Sequence, residues 1–161
     1  MSGISDMNGD GLDDFVIGAH HASPDPSLPK SGAAYIIFGQ ISFPKVLDLS
    51  TLDGKNGFQI NGEDSLDYLG KSVKWAGDVN RDGLYDLIIG AQGASGPEGK
   101  KSGKAFVILG QKAFSNLFLL SSLDGTNGFE IDGADAYDGS GFDVSGAGDM
   151  DGDGYVKGLS F

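Results

Sequence analysis

The fold of this chain is decided by the stretch D-V-N-R-D-G-L-Y-D, which runs from Asp78 to Asp86. It places carboxylate or amide oxygens at positions 1, 3, 5 and 9, and these are the hard ligands that Ca²⁺ prefers. A glycine at position 6 permits the sharp turn that would aim those oxygens at one point, and the carbonyl at position 7 adds another. The sequence therefore predicts a calcium loop with the ligands Asp78, Asn80, Asp82, Leu84 through its carbonyl, and Asp86.

The same nine-residue pattern occurs at two further places in the chain. The copy 72 residues earlier is almost intact, and it predicts the ligands Asp6, Asn8, Asp10, Leu12 through its carbonyl, and Asp14. The third copy predicts Asp149, Asp151, Asp153 and, through its carbonyl, Tyr155, but Lys157 replaces the ninth-position Asp. A lysine would bring a positive charge towards the ion, so we predict two calcium sites and leave the third open. Asp, Asn and Gly also form ordinary turns, but two complete copies favour metal binding over that alternative.

The residues that follow each loop exclude one class of calcium site. A helix-loop-helix site needs a bidentate Glu at position 12, where this chain has Ile17, Ile89 and Ser160. Apolar, β-branched runs follow the two complete loops, at residues 14–19 and 86–91, and each ends in Gly-Ala, which predicts buried strands. Each ion would therefore lie in a hairpin between strands. Its role would be structural, since the hairpin supplies the ligands and leaves no open position for a reacting group.

Composition narrows the class of protein. The 161 residues are 39% hydrophobic, which suits one ordinary domain, and no apolar run is long enough to span a membrane. The formal charge of −12 argues against nucleic acid or anionic membranes as partners. There is no cysteine, and the 28 glycines lack the three-residue period of collagen, so they indicate many tight turns. We accordingly expect many short strands, no nucleic acid partner and no direct membrane insertion.

The chain is a tandem repeat with a period of about 71 residues. The stretch that starts at Ser31 matches the one at Ser102, and the stretch at Leu49 matches the one at Leu120, both at a separation of 71. The complete repeat predicts no helix and four strands, at residues 71–76, 86–89, 105–109 and 129–131. Four antiparallel strands in a repeat of this length are typical of a β-propeller blade. The predicted fold is therefore all-β, a partial β-propeller with calcium-binding β-hairpin loops.

These motifs resemble a known repeat. Residues 77–91 combine the calcium loop, the apolar strand and Gly-Ala, and residues 103–110 form the next strand. Together they are similar to the FG-GAP repeat of integrin alpha-subunit propellers. The Phe-Gly of that family corresponds here to Leu69-Gly70 and Ser140-Gly141.

The resemblance implies a domain organisation. Propellers of that family have seven blades, so this chain would hold about two. Residues 1–69 are predicted to form a blade that lacks its first strand, residues 70–140 a complete blade, and residues 141–161 the truncated start of a third. Such a chain would expose blade faces and strand edges. We therefore expect self-association or missing propeller blades, as in a fragment or a truncated gene product.

The resemblance also implies a function, namely non-catalytic calcium binding in the service of extracellular recognition or cell adhesion at the cell surface. A protein or glycan ligand would bind the loops opposite the calcium hairpins, at residues 20–30, 63–69, 92–101 and 134–140. The sequence contains no nucleophile elbow or Walker loop, which leaves catalysis little support. The alternative is an accessory propeller region of a secreted hydrolase whose catalytic domain lies outside this chain.

Three ring-bearing residues remain as candidates for a binding role. His20 and His21 follow the first Gly-Ala, but the next repeat has Gln92 and Gly93 at these positions, so we expect solvated loop residues. Trp75, the single tryptophan, lies on a predicted strand beside the second calcium loop, and we expect it to pack in the core or between blades.

Overall fold

The computed structural model describes residues 2–96, 101–146 and 159–160. The third predicted calcium loop, which contains Lys157, lies outside these residues. Within them the regular secondary structure is β-strand, apart from single-turn 3₁₀-helices at Leu49–Thr51 and Leu120–Ser122. No helix among the described residues is long and apolar enough to cross a membrane. The all-β prediction is confirmed.

The first sheet is built mainly from the first repeat. Its strands, in spatial order, are β1 (Ser2–Ile4), β2 (Asp14–Ala19), β3 (Ala33–Ile37), β4 (Gly57–Asn61) and β8 (Leu117–Phe118). The first four strands pair antiparallel, whereas β8 joins the edge of β4 in the parallel direction. The apolar residues at every second position share one face, so that Val16, Ile36 and Phe58 lie side by side across three strands.

The second sheet is built from the second repeat. Its strands, in spatial order, are β5 (Val73–Gly77), β6 (Asp86–Ala91), β7 (Lys104–Ile108) and β9 (Gly128–Asp132), all antiparallel. These strands confirm the four that the sequence predicts, with boundaries that differ by no more than two residues. A short antiparallel pair, β10 (Ser145–Gly146) with β11 (Leu159–Ser160), forms a separate two-stranded sheet, and β10 packs against β5.

One prediction about the first repeat was wrong. The sequence predicts that its first strand is missing, because few residues precede the first Asp loop. The structure nevertheless places β1 there, paired with β2 in a register that sets Ser2 opposite Val16 and Ile4 opposite Asp14. Three residues are enough for a strand here because β2 offers a free edge of backbone donors and acceptors that needs a partner.

The main hydrophobic core contains residues of both sheets and therefore joins them. The first sheet contributes its Val16 face, and the second contributes the face that carries Leu87 and Ile89. Trp75 packs against this core, 5.8 Å from the ring of Tyr85, which agrees with its expected role. Neither sheet could bury an apolar face alone, and each fully buried aliphatic side chain contributes about 1.5–3 kcal/mol to folding.

The opposite face of the second sheet has a smaller core of its own. There Ile88 and Val107 pack with Val144, which comes from the residues that follow the second repeat. Strand β6 is thus buried on both faces, which explains why its sequence is a continuous apolar run rather than an alternating one.

A segment of the second repeat reaches back over the first sheet. Residues 112–118, here called the latch segment, lead from the end of β7 to β8, which pairs with β4. The ring of Phe114 stacks on that of Phe58 with centroids 4.2 Å apart and planes 9° from parallel. The amide of Gln59 donates a 3.0 Å hydrogen bond to the carbonyl of Asn116. The latch segment therefore joins two repeats that already share a core.

Candidate metal loops and the opposite loop surface

Both complete Asp loops connect neighbouring antiparallel strands. The first Asp loop (residues 6–14) lies between β1 and β2, and the second Asp loop (residues 78–86) lies between β5 and β6. Each loop ends with an Asp that is also the first residue of the following strand. The strand pairing therefore fixes both ends of each candidate site.

In the first Asp loop, the side chain at position 1 organises the turn. Asp6 Oδ1 accepts hydrogen bonds from the amides of Gly9 at 2.6 Å and Asp10 at 3.1 Å, and its Oδ2 accepts one from Gly11 at 2.8 Å. Asn8 Oδ1 accepts from the Asp10 amide, while Asn8 Nδ2 donates to the Asp10 carboxylate at 2.9 Å. Carboxylate and amide oxygens thus line the inside of an exposed turn.

The second Asp loop repeats this arrangement. Asp78 Oδ1 accepts from the Asp82 amide at 3.1 Å, and its Oδ2 accepts from Gly83 at 2.9 Å. Asn80 Nδ2 donates to the Asp82 carboxylate at 2.8 Å, and Asp82 Oδ1 accepts from the Leu84 amide at 2.8 Å. Two segments 72 residues apart have therefore folded into the same hydrogen-bonded turn.

The glycine at position 6 is required by backbone conformation rather than by space. Gly11 has φ +86° and Gly83 has φ +88°, and a Cβ added at either would meet nothing within 4 Å. These values lie in the left-handed region, where a side chain costs about 1–2 kcal/mol. The sharp turn that the sequence predicts at this position is present in both loops.

The ninth-position carboxylates are buried and fasten the loops to the sheets. Asp14 accepts from the amides of Met7 at 2.9 Å and Gly39 at 2.8 Å, so it joins the loop to the end of β3. The Asp86 carboxylate accepts hydrogen bonds from the amides of Val79 at 2.6 Å and Gly110 at 2.8 Å, so it joins the second Asp loop to the end of β7. The pKa of each of these two carboxyls is raised to about 6. Burial is the largest cause, and the negative charges of the neighbouring loop carboxylates also raise the pKa, while the two amide hydrogen bonds lower it.

Sequence reasoning missed the partners of these buried carboxylates. The donors Gly39 and Gly110 occupy equivalent places in the two repeats, each followed by Gln, and each lies against its own Asp loop, where a Cβ would collide with loop backbone. The recurring Gly-Gln after the third strand of each repeat was the signal that could have identified them.

The donor set fits a hard divalent cation in its chemistry, because every predicted side-chain ligand is a carboxylate or amide oxygen. The arrangement is not that of an assembled site. Across the described residues, no three carboxylate, imidazole or thiol groups lie together in a way that could hold a metal ion. In both loops the position-1, position-3 and position-5 side chains bond to loop amides and to one another.

The two Asp loops are in direct contact. The amide of Tyr85 donates a 3.0 Å hydrogen bond to the carbonyl of Asp6, and the amide of Gln111 donates a 3.1 Å bond to the carbonyl of Met7. The loops therefore form one surface at the same end of the two sheets.

The predicted recognition loops lie at the other end of the strands and are joined to one another. The Leu66 amide donates a 3.0 Å hydrogen bond to the backbone carbonyl of Pro29, and the Gly93 amide donates one of 3.0 Å to the backbone carbonyl of Asp67. The Gly139 amide donates a 3.3 Å hydrogen bond to the backbone carbonyl of Lys101. The described parts of residues 20–30, 63–69, 92–101 and 134–140 thus form one continuous loop surface.

Backbone strain is concentrated in this loop surface. Five non-glycine residues there have positive φ, between 55° and 71°: Lys30, Leu66, Tyr68, Lys101 and Tyr137. Bulky residues rarely adopt this conformation, and it persists only where the surrounding structure enforces it. The same strain appears at equivalent positions of both repeats, at Leu66 with Tyr137 and at Lys30 with Lys101.

The two histidines are part of this loop surface. The rings of His20 and His21 are 4.1 Å apart, and the ring of His21 is 5.8 Å from that of Tyr68. Partial burial and the positive charges of His21 and Lys71 lower the pKa of His20. Among the described residues, they are not part of any group of three or more His, Cys, Asp or Glu side chains that could hold a metal ion.

The chain is similar to FG-GAP repeats and to proteins of two kinds, integrin alpha subunits and a phospholipase D. The family model described as FG-GAP repeat matches residues 2–37 and 76–108. Integrin alpha pat-2 of Caenorhabditis elegans is 32% identical over 150 residues, which cover 85% of this chain and 12% of that protein. Integrin alpha-IIb of Mus musculus is 33% identical over 111 residues, 67% of this chain and 10% of that protein. Phosphatidylinositol-glycan-specific phospholipase D of Mus musculus is 33% identical over 110 residues, 67% of this chain and 12% of that protein. The chain thus spans about a tenth of the length of these relatives.

Proposed function

Because the chain carries FG-GAP repeats and is similar to integrin alpha subunits, we propose that it is a non-catalytic, calcium-binding β-propeller segment for extracellular recognition or cell adhesion. The observation that carries the proposal is the pair of Asp loops, which share one hydrogen-bonding pattern and one buried carboxylate at the ninth position. Burying a carboxylate costs free energy unless the charge is compensated, and a cation bound in the loop would compensate it. Calcium would bind at two loops, and the third stays open.

Calcium would act on stability rather than on a reaction. The ion would supply the positive charge that the buried carboxylates of Asp14 and Asp86 lack, and it would hold glycine-rich loops that otherwise lose much conformational entropy on folding. The ligands would be those of the sequence prediction, with Asn8 and Asn80 turning their oxygens to the ion. Extracellular modules of this kind bind calcium at roughly 0.1–1 mM, which suits a location outside the cell or on its surface.

Recognition would use the loop surface opposite the Asp loops. Strained backbone is often retained where it shapes a binding surface, and loops carried by a rigid sheet are frequent binding sites. Leu66 and Tyr137, which are 38% and 73% exposed, are large side chains held at two equivalent strained positions. A protein or glycan is the partner class we propose for this surface.

The second candidate function is an accessory propeller region of a secreted hydrolase. The similarity to phosphatidylinositol-glycan-specific phospholipase D of Mus musculus favours it. The sequence that flanks this chain in its gene would separate the two functions. A transmembrane segment downstream would support adhesion, and a hydrolase motif would support the accessory role.

The experiment that tests the proposal is a thermal melt with and without calcium, together with a calorimetric titration that counts bound ions. If calcium exceeds its Kd tenfold, each site should add about 1.4 kcal/mol to the free energy of unfolding. The double variant Asp10→Ala/Asp82→Ala should lose this gain, and Asp25→Ala, outside the Asp loops, should keep it. Absence of both binding and stabilisation in the unaltered chain would refute calcium binding and leave the loops as turns.

A further inference from the structure

A small pocket adjoins the loop surface at the point where β5 begins. Its floor is backbone, because Gly18 of β2 and Gly70 approach so closely that a Cβ at Gly18 would collide with the Gly70 carbonyl. The pocket has a volume of about 190 Å³. Four of the side chains that line it have ionisable ends: His20, Lys71, Lys74 and Asp143.

Three successive segments of the chain enclose this pocket. His20 follows β2 of the first repeat, the two lysines belong to the second repeat, and Asp143 leads into β10. Strand β5, which carries Lys74, packs against both β1 and β10. The pocket therefore lies between neighbouring segments that the structure describes, rather than on an uncovered sheet face or edge.

The two lysines of the pocket have no carboxylate partner among the described residues. The ion pairs found there are both made by Lys104. The chain has 23 Asp and Glu residues against 11 Lys and Arg, so partners for a lysine are plentiful. The Lys71 ammonium lies instead 5.0 Å from the centre of the Phe142 ring, a cation–π contact that leaves its hydrogen-bond donors available.

The carboxylate of the pocket is held by a neutral donor. Asp143 Oδ1 accepts a 2.8 Å hydrogen bond from the Ser72 hydroxyl, and the Ser72 hydroxyl accepts one of 3.1 Å from the Val144 amide. This chain of hydrogen bonds joins the start of β5 to the segment before β10. Asp143 is thus fixed at one wall of the pocket, and it does not form an ion pair with either lysine.

The pocket has an excess of one positive charge at neutral pH. Lys71 and Lys74 contribute two positive charges and Asp143 one negative charge. Burial and the positive charges of His21 and Lys71 lower the pKa of His20, so its ring is neutral and can donate one hydrogen bond. A singly charged acceptor would balance this excess. A doubly charged group such as phosphate would instead add negative charge to a chain that already carries −12.

We propose that this pocket binds the side-chain carboxylate of a Glu or Asp on a protein partner. The volume is below the roughly 300–1,000 Å³ of sites that enclose a whole small molecule. It is several times the about 30 Å³ that a water molecule occupies, so it suits one side chain of a larger partner. Lys71 and Lys74 would donate charge-assisted hydrogen bonds to the carboxylate, and His20 would donate a third.

This inference deepens the proposed function and rests on it for the use of the loop surface in recognition. It names the chemistry of the partner, an acidic protein surface, and the place where that chemistry is read. It does not depend on calcium. A titration of the pocket in the presence of a chelator and a calcium melt of the Asp loops can therefore fail independently of one another.

Nuclear magnetic resonance of the full chain, labelled with ¹⁵N, tests the proposal. The probe is N-acetyl-glutamate N-methylamide, whose single charge is the side-chain carboxylate, and the neutral glutamine analogue is its control. We expect the glutamate probe to shift the amide signals of Gly70 and Lys71 in a saturable way, with a Kd in the millimolar range that is typical of a small fragment. Added salt should weaken this binding, and the glutamine analogue should leave the signals unchanged.

A pair of charge-matched variants identifies the residues responsible. Lys71→Gln/Lys74→Gln keeps much of each side chain and removes two positive charges, and it should weaken binding of the glutamate probe at least about tenfold. Lys45→Gln/Lys55→Gln removes the same charge from the connection between β3 and β4, at the Asp-loop end of the strands, and should bind like the unaltered chain.

Four results would overturn the proposal. The first is the absence of saturable shifts with the glutamate probe, and the second is an equal response to the glutamine analogue. The third is a loss of affinity that is no greater in the Lys71/Lys74 variant than in the Lys45/Lys55 variant. The fourth is tighter binding of another anion at the same amides: sulfate would refute the choice of a carboxylate, and sialyllactose would replace the protein partner with an acidic glycan.

Discussion

The amide of Tyr85 donates a 3.0 Å hydrogen bond to the carbonyl of Asp6, so the two Asp loops touch through their backbones. Asp6 is the position-1 residue of the first loop, and Tyr85 precedes the ninth-position residue of the second. Because of this hydrogen bond, a change in the conformation of one loop should also affect the conformation of the other. If both loops bind calcium as proposed, the two sites should not be independent.

This contact predicts a coupling that a single substitution measures. Asp82→Ala should abolish calcium binding in the second loop and also weaken binding in the first by about fivefold, because an unoccupied second loop holds Tyr85 less firmly against Asp6. Calorimetric titration would report one remaining site with reduced affinity. Asp25→Ala should leave both sites unchanged. A remaining site of unaltered affinity would show that the hydrogen bond carries no coupling.

The strands of the second repeat could be predicted from sequence because their signals are local. Apolar runs bounded by glycine identified β6 and β7 to within two residues, and the Asp-Gly pattern located both hairpin turns. The hidden features depend on distant residues. Nothing near Leu117 indicates that β8 pairs in parallel with β4 of the other repeat, and nothing near Asp14 indicates that Gly39 is its partner. The first contact follows from the packing of one repeat on the next, and the second from the pairing of β2 with β3, which brings Gly39 to the start of β2.

A buried carboxylate in the opposite loop surface predicts a pH dependence of stability. Asp67 is 8% exposed and accepts a 2.8 Å hydrogen bond from the Asp64 amide. Burial raises its pKa from the ordinary 3.8 to about 6; the amide bond opposes this, and the charges of Asp64 and Glu63 add to it. The folded state thus favours the protonated form. The resulting loss of stability is absent well below pH 3.8, grows between pH 3.8 and 6, and levels off above pH 6 at no more than about 3 kcal/mol.

Asp67→Asn isolates this effect, because it keeps an acceptor for the Asp64 amide and removes the titration. Relative to the unaltered chain, the variant should become more stable as the pH rises from 4 to 7. Asp14 and Asp86 titrate in the same range, so the difference between the two proteins is the quantity to measure, by thermal melts with a chelator present. Parallel stability curves would contradict the predicted pKa of Asp67.

The latch segment predicts unequal roles for two equivalent phenylalanines. Phe114 stacks on Phe58 within the core that joins the sheets, whereas Phe43 is 46% exposed. Phe114→Ala should therefore lower the free energy of unfolding by about 2–4 kcal/mol, and Phe43→Ala by less than about 1 kcal/mol. Chemical denaturation at a concentration where the chain is monomeric would measure both. Equal losses would mean that the stacked ring contributes no more than an exposed one.

Two equivalent glycines separate the strain of a turn from the contact made by the latch. Gly54 has φ +87° and Gly125 has φ +89°, so Ala at either position should cost about 1–2 kcal/mol in backbone conformation. Only at Gly54 would the new Cβ collide with backbone, at the carbonyl of Phe114. In the monomer, Gly54→Ala should therefore destabilise the chain by a further 1–3 kcal/mol or so, through displacement of the latch. Denaturation midpoints of the two variants give this difference directly. If Gly125→Ala were as damaging as Gly54→Ala, strain alone would account for both, and the latch would contribute nothing at this turn.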